Sequence, residues 1–256
     1  VPADRPVPRA AHYGPFSNAQ WIGRLSHQNS FWREAAQRTL VERRDPATVP
    51  AIRDVARSGA SPLGRAHALW TLDGLGALDR DTIIAALASQ APLVRTMGLR
   101  LAEQFLTGDG VAELIPRLVG LASDAAKEVQ LQAVLSLGEA RDPAVDRTLA
   151  NLVRIHQDNA FLSDAFYSGI ADREHELFER LASDPAWDAD DPAANRIISR
   201  LAEGVFNSRA SPAIEHLFSL AGDAPDSPQT AAILDGIAAA AARIRRPLQF
   251  AAPPRG

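Results

Sequence analysis

Apolar and small residues recur every three or four positions along most of the chain, which is the spacing of one helix face. Five nine-residue segments align with one another, at residues 32–40, 64–72, 94–102, 129–137 and 162–170. Their second residues are separated by 32, 30, 35 and 33 positions. Positions one, five and nine share a helix face. The fifth position is small in four segments and the ninth is apolar in all five, which predicts close helix packing.

A second amphipathic helix accompanies the first four segments, at residues 47–56, 81–88, 111–122 and 144–155. The repeating unit is therefore a helix pair of about 33 residues, and such a pair must stack on its neighbours to bury its apolar face. No stretch shows the alternation with period two that marks a strand. We predict an all-α fold, a solenoid of about five to six helical hairpins.

Capping residues before prolines predict where many of the helices begin. The pairs are Asp45-Pro46, Ser61-Pro62, Asp142-Pro143, Asp184-Pro185, Asp191-Pro192, Ser211-Pro212 and Ser227-Pro228. Asp or Ser at the N-cap accepts a hydrogen bond from a free backbone N–H in the first turn. Pro at the next position costs no helical hydrogen bond, because the N–H that it lacks would have no partner within the helix. The recurrence of the pair predicts a chain of short helices.

The pattern divides the chain into four parts. Prolines predict an extended lead-in over residues 1–16 and a tail over 247–256. Regular repeats are predicted for residues 17–157. Residues 158–246 form an irregular helical cap or an irregular insertion, because Phe166 replaces the small fifth residue and aromatics become frequent. Further helices are predicted there at 193–206, 212–220 and 229–243.

Composition narrows the function classes. The formal net charge is −4, from 31 acidic and 27 basic residues, which disfavours nucleic-acid binding through phosphate neutralisation, although a local basic stripe remains compatible. Cysteine is absent, which excludes disulfides, Cys-based zinc sites and haem attachment. No apolar run reaches the ~18 residues of a membrane span. The chain begins at Val1 and not at Met, so we expect either a processed protein or a segment of a longer one, and we favour the segment.

One histidine has acidic neighbours at helical spacing. Asp172, His175 and Glu179 share a predicted helix face. The pattern is not the zinc-binding His-Glu-x-x-His, because Glu179 occupies the place of the second histidine. We therefore interpret the face as charged and solvated, and predict no metal ligand.

Two further candidates have structural interpretations. The acidic residues 188–191 could begin a calcium loop, but Ala193 and Ser199 replace the required Gly and Glu, so we predict a polar turn before Pro192. Gly74-Leu-Gly76 follows a helix and is predicted to form its C-terminus. The sequence contains no recognisable catalytic or cofactor-binding residue set.

A group of basic and aromatic residues lies off the one-five-nine face: Arg38, Arg65, His67, Trp70 and Arg100. Trp70 shares its repeat position with Arg38 and Arg100, so these side chains can face a groove between repeats. One interpretation is that Trp70 packs between repeats and that the arginines at the second position form a structural ladder. The other is a site for a protein partner, since Trp and Arg are enriched at binding hot spots.

The repeat unit resembles HEAT repeats, in which a Val-Arg pair opens the second helix, as Val94-Arg95 does here, and a Pro often lies in the first, as Pro50 and Pro116 do. Residues 31–45 and 64–78 resemble the HEAT segment of large multidomain bacterial proteins described as membrane-bound dehydrogenases. The likeness covers roughly residues 18–160. It implies a right-handed α-α superhelix of the HEAT or armadillo type.

In that family a β-propeller precedes the helical segment, and a c-type cytochrome module with Cys-x-x-Cys-His follows it. This chain departs from the pattern because it has no cysteine and no strand-rich propeller. The resemblance therefore implies the connecting helical domain without the redox modules, and it assigns no catalytic residue.

We expect a non-catalytic scaffold or protein-interaction domain of a larger exported redox protein. Its partner would be another protein or the neighbouring domains of the parent chain, with no nucleic acid, cofactor or membrane span. The expected location is the periplasm, with the cytoplasm as the alternative. The competing hypothesis is a HEAT-like enzyme or ligand-binding solenoid, similar to bilin lyases or DNA glycosylases. A glycosylase needs a basic groove, for which Arg38, Trp70 and Arg100 are the candidates.

Overall fold

The computed structural model describes residues 16–107, 111–187, 190–208, 211–223 and 226–243. All regular structure in these ranges is helical, which confirms the all-α prediction. The α-helices are α1 (Asn18–Arg24), α2 (Ser30–Arg43), α3 (Val49–Ser58), α4 (Pro62–Gly74), α5 (Arg80–Leu87), α6 (Pro92–Ala102), α7 (Val111–Leu121), α8 (Lys127–Gly138), α9 (Pro143–Ile155), α10 (Ala160–Gly169), α11 (Glu174–Ala182), α12 (Pro192–Asn207), α13 (Ser211–Asp223) and α14 (Pro228–Ala241).

The chain forms two compact units, of which the first ends at Leu101 and the second begins at Ala102. In the first unit, α4 packs against both α2 and α3. In the second unit, α8 packs against α7 and α10, and α12 packs against α11 and, most extensively, α14. This boundary between the two units differs from residue 157, the position at which the repeat pattern weakens in the sequence.

The predicted helix starts are confirmed at six of the seven capping pairs. The side chains of these Asp and Ser residues accept hydrogen bonds from backbone N–H groups two or three residues later: Asp45, Ser61, Asp142, Asp184, Asp191 and Ser227. Asp45 and Asp184 begin short 3-10 turns, and the other four begin α-helices. The helix α13 begins at Ser211, whose side chain lies outside the described part.

The core face predicted from the repeat is buried. Its buried residues are, at position one, Gly64, Val94, Val129 and Leu162; at position five, Ala36, Ala68, Gly98, Ala133 and Phe166; and at position nine, Leu40, Leu72, Ala102, Leu137 and Ile170. Small fifth residues allow close approach, since a Cβ on Gly98 would lie 3.0 Å from the Cβ of Ala86. The repeat pattern therefore identified the residues that hold neighbouring helices together.

Trp32, at position one of the first segment, is only half-buried because it belongs to an aromatic cluster with α1. Its ring lies 6.0 Å from that of Phe16 and 6.4 Å from that of Trp21, and the guanidinium of Arg24 lies 3.6 Å from the centre of the Phe16 ring. The helix α1 was not predicted, and its residue Trp21 packs together with Phe16 and Trp32 near the beginning of α2.

Side chains at the second repeat position stabilise the fold by binding backbone carbonyl groups. Nη1 of Arg33 donates to the carbonyls of His27 and Gln28, each at 2.7 Å. Nη1 of Arg95 likewise donates to the carbonyls of Ser89, at 2.7 Å, and Gln90, at 3.1 Å. Gln130 donates to the carbonyl six residues earlier at 2.5 Å. Each side chain thereby fixes the turn that leads into its own helix.

A buried ion pair joins several helices of the second unit. Arg173 precedes α11 and binds both carboxylate oxygens of Asp146 on α9, at 2.8 and 3.0 Å. It also donates to the carbonyls of Gly138 and Gly169, the last residues of α8 and α10. These glycines touch, since a Cβ on Gly138 would lie 2.6 Å from the Cα of Gly169.

Some predictions fall beyond the described ranges. The predicted tail and all of the predicted lead-in except Phe16 lie outside the described residues. Within the described part, none of the helices combines the length and the apolar character that crossing a bilayer requires.

Candidate functional site

The first unit contains an open cavity of about 620 Å³ between α2 and α4. Among the described residues, its lining comes from these two helices: Phe31, Glu34, Ala35, Gln37, Arg38, Val41, Glu42, Trp70, Asp73 and Gly74. We call this cavity the α2–α4 groove. Since only two helices form its walls, the groove is a trough that can take a further chain segment along the helices.

The apolar lining of the groove consists of Phe31, Ala35, Val41 and Trp70. The side chain of Phe31 is 44% exposed, which is unusual for a large aromatic residue. Gly74 keeps the end of α4 close to α2, because a Cβ there would lie 2.9 Å from a methyl carbon of Val41. The groove therefore offers apolar surface that the described residues cover only in part.

The charged lining of the groove is mainly acidic. Its described lining includes three carboxylates, Glu34, Glu42 and Asp73, and one guanidinium, Arg38. Glu34, Arg38 and Glu42 are exposed, and the long 3.9 Å contact between Arg38 and Glu42 is a weak surface ion pair. This charge favours a cationic ligand and opposes a phosphate backbone.

Two of the five predicted binding residues line the groove, and a third supports it. Arg38 and Trp70 belong to the lining. Trp70 also donates from Nε1 to the sulfur of Met97 at 3.3 Å, so it packs against α6 as well. His67 Nδ1 lies 2.7 Å from Oε1 of Gln37, and this nitrogen must carry the proton because an amide oxygen only accepts. His67 therefore orients a lining residue.

The surroundings of His67 favour its neutral form. Burial lowers the pKa of His67 below its ordinary value, and the positive charge of Arg33 lowers it further, whereas Glu34 acts in the opposite direction. The contact with Gln37 requires a proton on Nδ1, and the lowered pKa favours the neutral ring that carries its single proton there.

The other two predicted residues do not line the groove. Arg65 is half-buried and donates to the carbonyl of Ala56 at 3.0 Å and to Oγ of Ser89 at 2.9 Å, and burial lowers its pKa. Arg65 thus links α3 to the turn after α5. Arg100 is exposed on α6.

Sequence reasoning missed an exposed apolar row. Phe31, Leu63 and Leu93 are the second residues of α2, α4 and α6, and their exposed fractions are 44%, 44% and 37%. They occupy one repeat position, immediately before the core face, and Phe161 occupies the same position in α10 with 75% exposed. The signal was present in the sequence, because a large apolar residue directly precedes four of the five aligned segments.

The remaining sequence candidates have structural explanations. Gly76 has a φ of +66°, and the following backbone N–H donates to Leu72, as expected at a helix C-terminus. Asp191 caps α12 and binds Arg154 at 2.5 Å, while residues 188 and 189 lie outside the described part. Asp172 precedes α11 with a φ of +68°, so it does not share the helix face of His175.

Comparison of the sequence with models of known protein families and with curated proteins gives no match. The resemblance to HEAT repeats and to multidomain dehydrogenases therefore stays a prediction.

Proposed function

We propose that this chain is a protein-interaction domain of HEAT-like helix pairs, and that its first unit binds a peptide segment of a partner protein in the α2–α4 groove. The segment carries an apolar anchor together with Lys or Arg. The observation that carries the proposal is the combination of exposed apolar lining and excess carboxylate in one trough between two helices.

The size of the groove supports a segment of this kind. At roughly 30 Å³ per water molecule, about 620 Å³ holds on the order of twenty waters, which is room for several side chains. An amphipathic helix laid along a two-helix trough inserts apolar residues at helical spacing and keeps its polar side in solvent. Phe31 and Trp70 are the apolar contacts that we expect to contribute most, because partly exposed aromatics gain most by being covered.

The charge of the groove supports a basic segment. Glu34 and Glu42 are exposed and can pair with Lys or Arg of the partner without first being desolvated. The same charges argue against the glycosylase-like alternative, because a groove with three carboxylates and one guanidinium repels phosphates.

A wider setting is also proposed. The likeness of residues 31–45 and 64–78 to the helical segment of propeller–cytochrome proteins supports a place between domains of a larger exported redox protein. In that setting the segment bound in the groove would belong to a neighbouring module. Reading the coding sequence on both sides tests this proposal, since it requires a propeller upstream and Cys-x-x-Cys-His downstream.

The function itself is tested by selection from a displayed library of random peptides of about 15 residues, the length of an ordinary helical ligand. We expect enriched peptides with apolar residues at helical spacing and a net positive charge. They should quench or shift the fluorescence of Trp70, and a Trp70→Phe variant should lose that signal. Enrichment of acidic peptides only, or of none, would contradict the proposal.

A further inference from the structure

Two helices of the second unit bring together two histidines and one glutamate. His175 and Glu179 lie one turn apart on α11, and His216 lies on α13. Oε1 of Glu179 lies 3.2 Å from Nε2 of His175 and 2.8 Å from Nδ1 of His216. One potential ligand atom from each residue lies within 4.8 Å of the other two. We call these residues the His–Glu–His cluster.

The local sequence lacks the second histidine of a zinc-binding helix, because Glu179 stands where the pattern His-Glu-x-x-His requires a histidine. The fold supplies that histidine from another helix, because α12 packs against both α11 and α13 and holds them on either side of the cluster. His216 is 37 residues from Glu179, so no local motif could show the pairing.

The spacing of the cluster fits a small divalent cation. Tetrahedral Zn²⁺ with nitrogen and oxygen ligands at 2.0–2.2 Å holds those ligands about 3.4 Å apart. The two contacts to Glu179, 3.2 and 2.8 Å, are close to that value, and the three atoms lie within 4.8 Å of one another, so side-chain rotations that draw the two ring nitrogens together would complete the geometry. The imidazole rings stand nearly perpendicular, at 86°, with centres 6.3 Å apart, so neither ring blocks the other.

The donor types select the metal. Two imidazole nitrogens and one carboxylate suit Zn²⁺ and its neighbours in the first transition row, whereas Ca²⁺ and Mg²⁺ prefer oxygen ligands alone. The side chains are 40%, 42% and 43% exposed, so a hydrated ion can reach them and keep a water as its fourth ligand. Nδ1 of His175 is buried without a hydrogen-bond partner among the described residues, which leaves Nε2 as the coordinating atom.

We propose that His175, Glu179 and His216 bind one Zn²⁺ ion, which links α11 to α13. The site would be absent from the unfolded chain, because its ligands come from two helices that only the fold brings together. Metal binding therefore stabilises the folded second unit, since a ligand that binds only the folded state raises the free energy of unfolding.

The experiment uses the whole chain without a polyhistidine tag, freed of metal with a chelator and titrated with Zn²⁺ alone. Calorimetry and elemental analysis after gel filtration should give one zinc per chain with a micromolar dissociation constant. The midpoint of thermal unfolding should rise by several degrees when zinc is about a hundredfold above that constant.

Variants assign the binding to the cluster. His216→Ala and Glu179→Gln should each weaken zinc binding about tenfold or more, which is at least the effect of losing a supporting residue around a metal. His156→Ala removes a histidine outside the cluster and should bind like the parent. If His216→Ala fails to fold by circular dichroism, the isosteric Glu179→Gln variant still decides the matter.

Two outcomes would overturn the proposal. One is the lack of saturable zinc binding, which is the result expected if the three side chains only exchange hydrogen bonds. The other is saturable binding that the Glu179→Gln and His216→Ala variants both leave unchanged. Titration with Co²⁺ gives an independent readout, because a tetrahedral site should produce visible absorption in the parent and much less in Glu179→Gln.

Discussion

At the scale of single residues, the same side-chain type serves two purposes. Arg33, Arg65 and Arg95 share one repeat position and all bind groups of the chain itself. Arg38 makes only a weak surface contact with Glu42, at 3.9 Å among the described residues, and lies exposed in the lining of the α2–α4 groove. Position within the repeat therefore separates structural arginines from one available to a partner.

Asp146 and Arg173 form the ion pair with the largest expected effect on stability. Their side chains are only 4% and 13% exposed, so replacing Asp146 with Ala leaves a guanidinium buried without its counter-charge. We expect the free energy of unfolding to fall by about 3 kcal/mol, the lower end for a broken buried pair, because Arg173 keeps its two carbonyl contacts. Urea denaturation measures this loss.

The matched control is Asp164→Ala, which removes the exposed partner of Arg200. The side chains of that pair are 50% and 69% exposed, and we expect a loss of about 0–1 kcal/mol. Equal losses in the two variants would contradict the role assigned to the buried pair.

His67 should make stability depend on pH. Its folded pKa is lowered, while in the unfolded chain it titrates near its ordinary value of about 6.5. The unfolded state therefore binds the proton more readily. The contribution of His67 to the free energy of unfolding is therefore complete above about pH 6.5 and declines as the pH falls toward the folded pKa.

Urea denaturation at about pH 7.5 and about pH 5, on either side of the ordinary histidine pKa, checks this prediction. A His67→Gln variant should lose less stability between the two values than the parent does. An identical loss in His67→Gln and the parent would show that other groups cause the dependence.

At the scale of helices, packing distance is set by small residues at defined places. Gly138 and Gly169 end α8 and α10 in direct contact. Gly120, within α7, has no described atom near the place of a Cβ. These positions look equivalent in the sequence, since each is a glycine near a helix end.

The prediction is that Gly138→Ala and Gly120→Ala have opposite effects. The first forces a methyl group to 2.6 Å from a Cα of Gly169 and should cost about 1–3 kcal/mol. The second should stabilise α7 by about 0.4–1 kcal/mol, because alanine restricts the unfolded chain and favours the helix. Thermal or urea unfolding of the two variants compares them, and a stabilised Gly138→Ala would contradict the observed close approach.

The helices themselves were predictable because their signals are local. Capping side chains such as Asp142 and Asp191 act on backbone groups two residues away, and the buried face follows from helical spacing. The functional surfaces depend on distant residues. Phe31 and Trp70 meet in one groove, and His216 reaches Glu179, only because helices pack beside each other. The shared repeat position of Arg38 and Trp70 did indicate a groove, whereas spacing along the sequence contains no record of the pairing of His216 with Glu179.

At the scale of the whole molecule, the acidic excess limits the partners. The net charge is −4, and the groove is itself mainly acidic. We expect no shift of double-stranded DNA in gel retardation at about 50 mM salt, where phosphate contacts are strongest. A shift at low salt that disappears at higher salt would reveal a basic stripe and revive the nucleic-acid alternative.

The central claim is that the α2–α4 groove selects a basic apolar segment through its own carboxylates. Reversing Glu34 and Glu42 to Lys changes two exposed lining residues with little expected cost in stability. Reversing Glu113 and Glu128, exposed on α7 and α8, changes the net charge by the same amount outside the groove and provides the control.

The most direct measurement is calorimetric titration of the best selected basic peptide into the parent and both double variants. The account predicts that Glu34→Lys with Glu42→Lys weakens binding at least about tenfold, roughly 1.4 kcal/mol, and that the control changes it far less. Equal affinity for the parent and the groove variant, or an equal loss in both variants, would contradict the account.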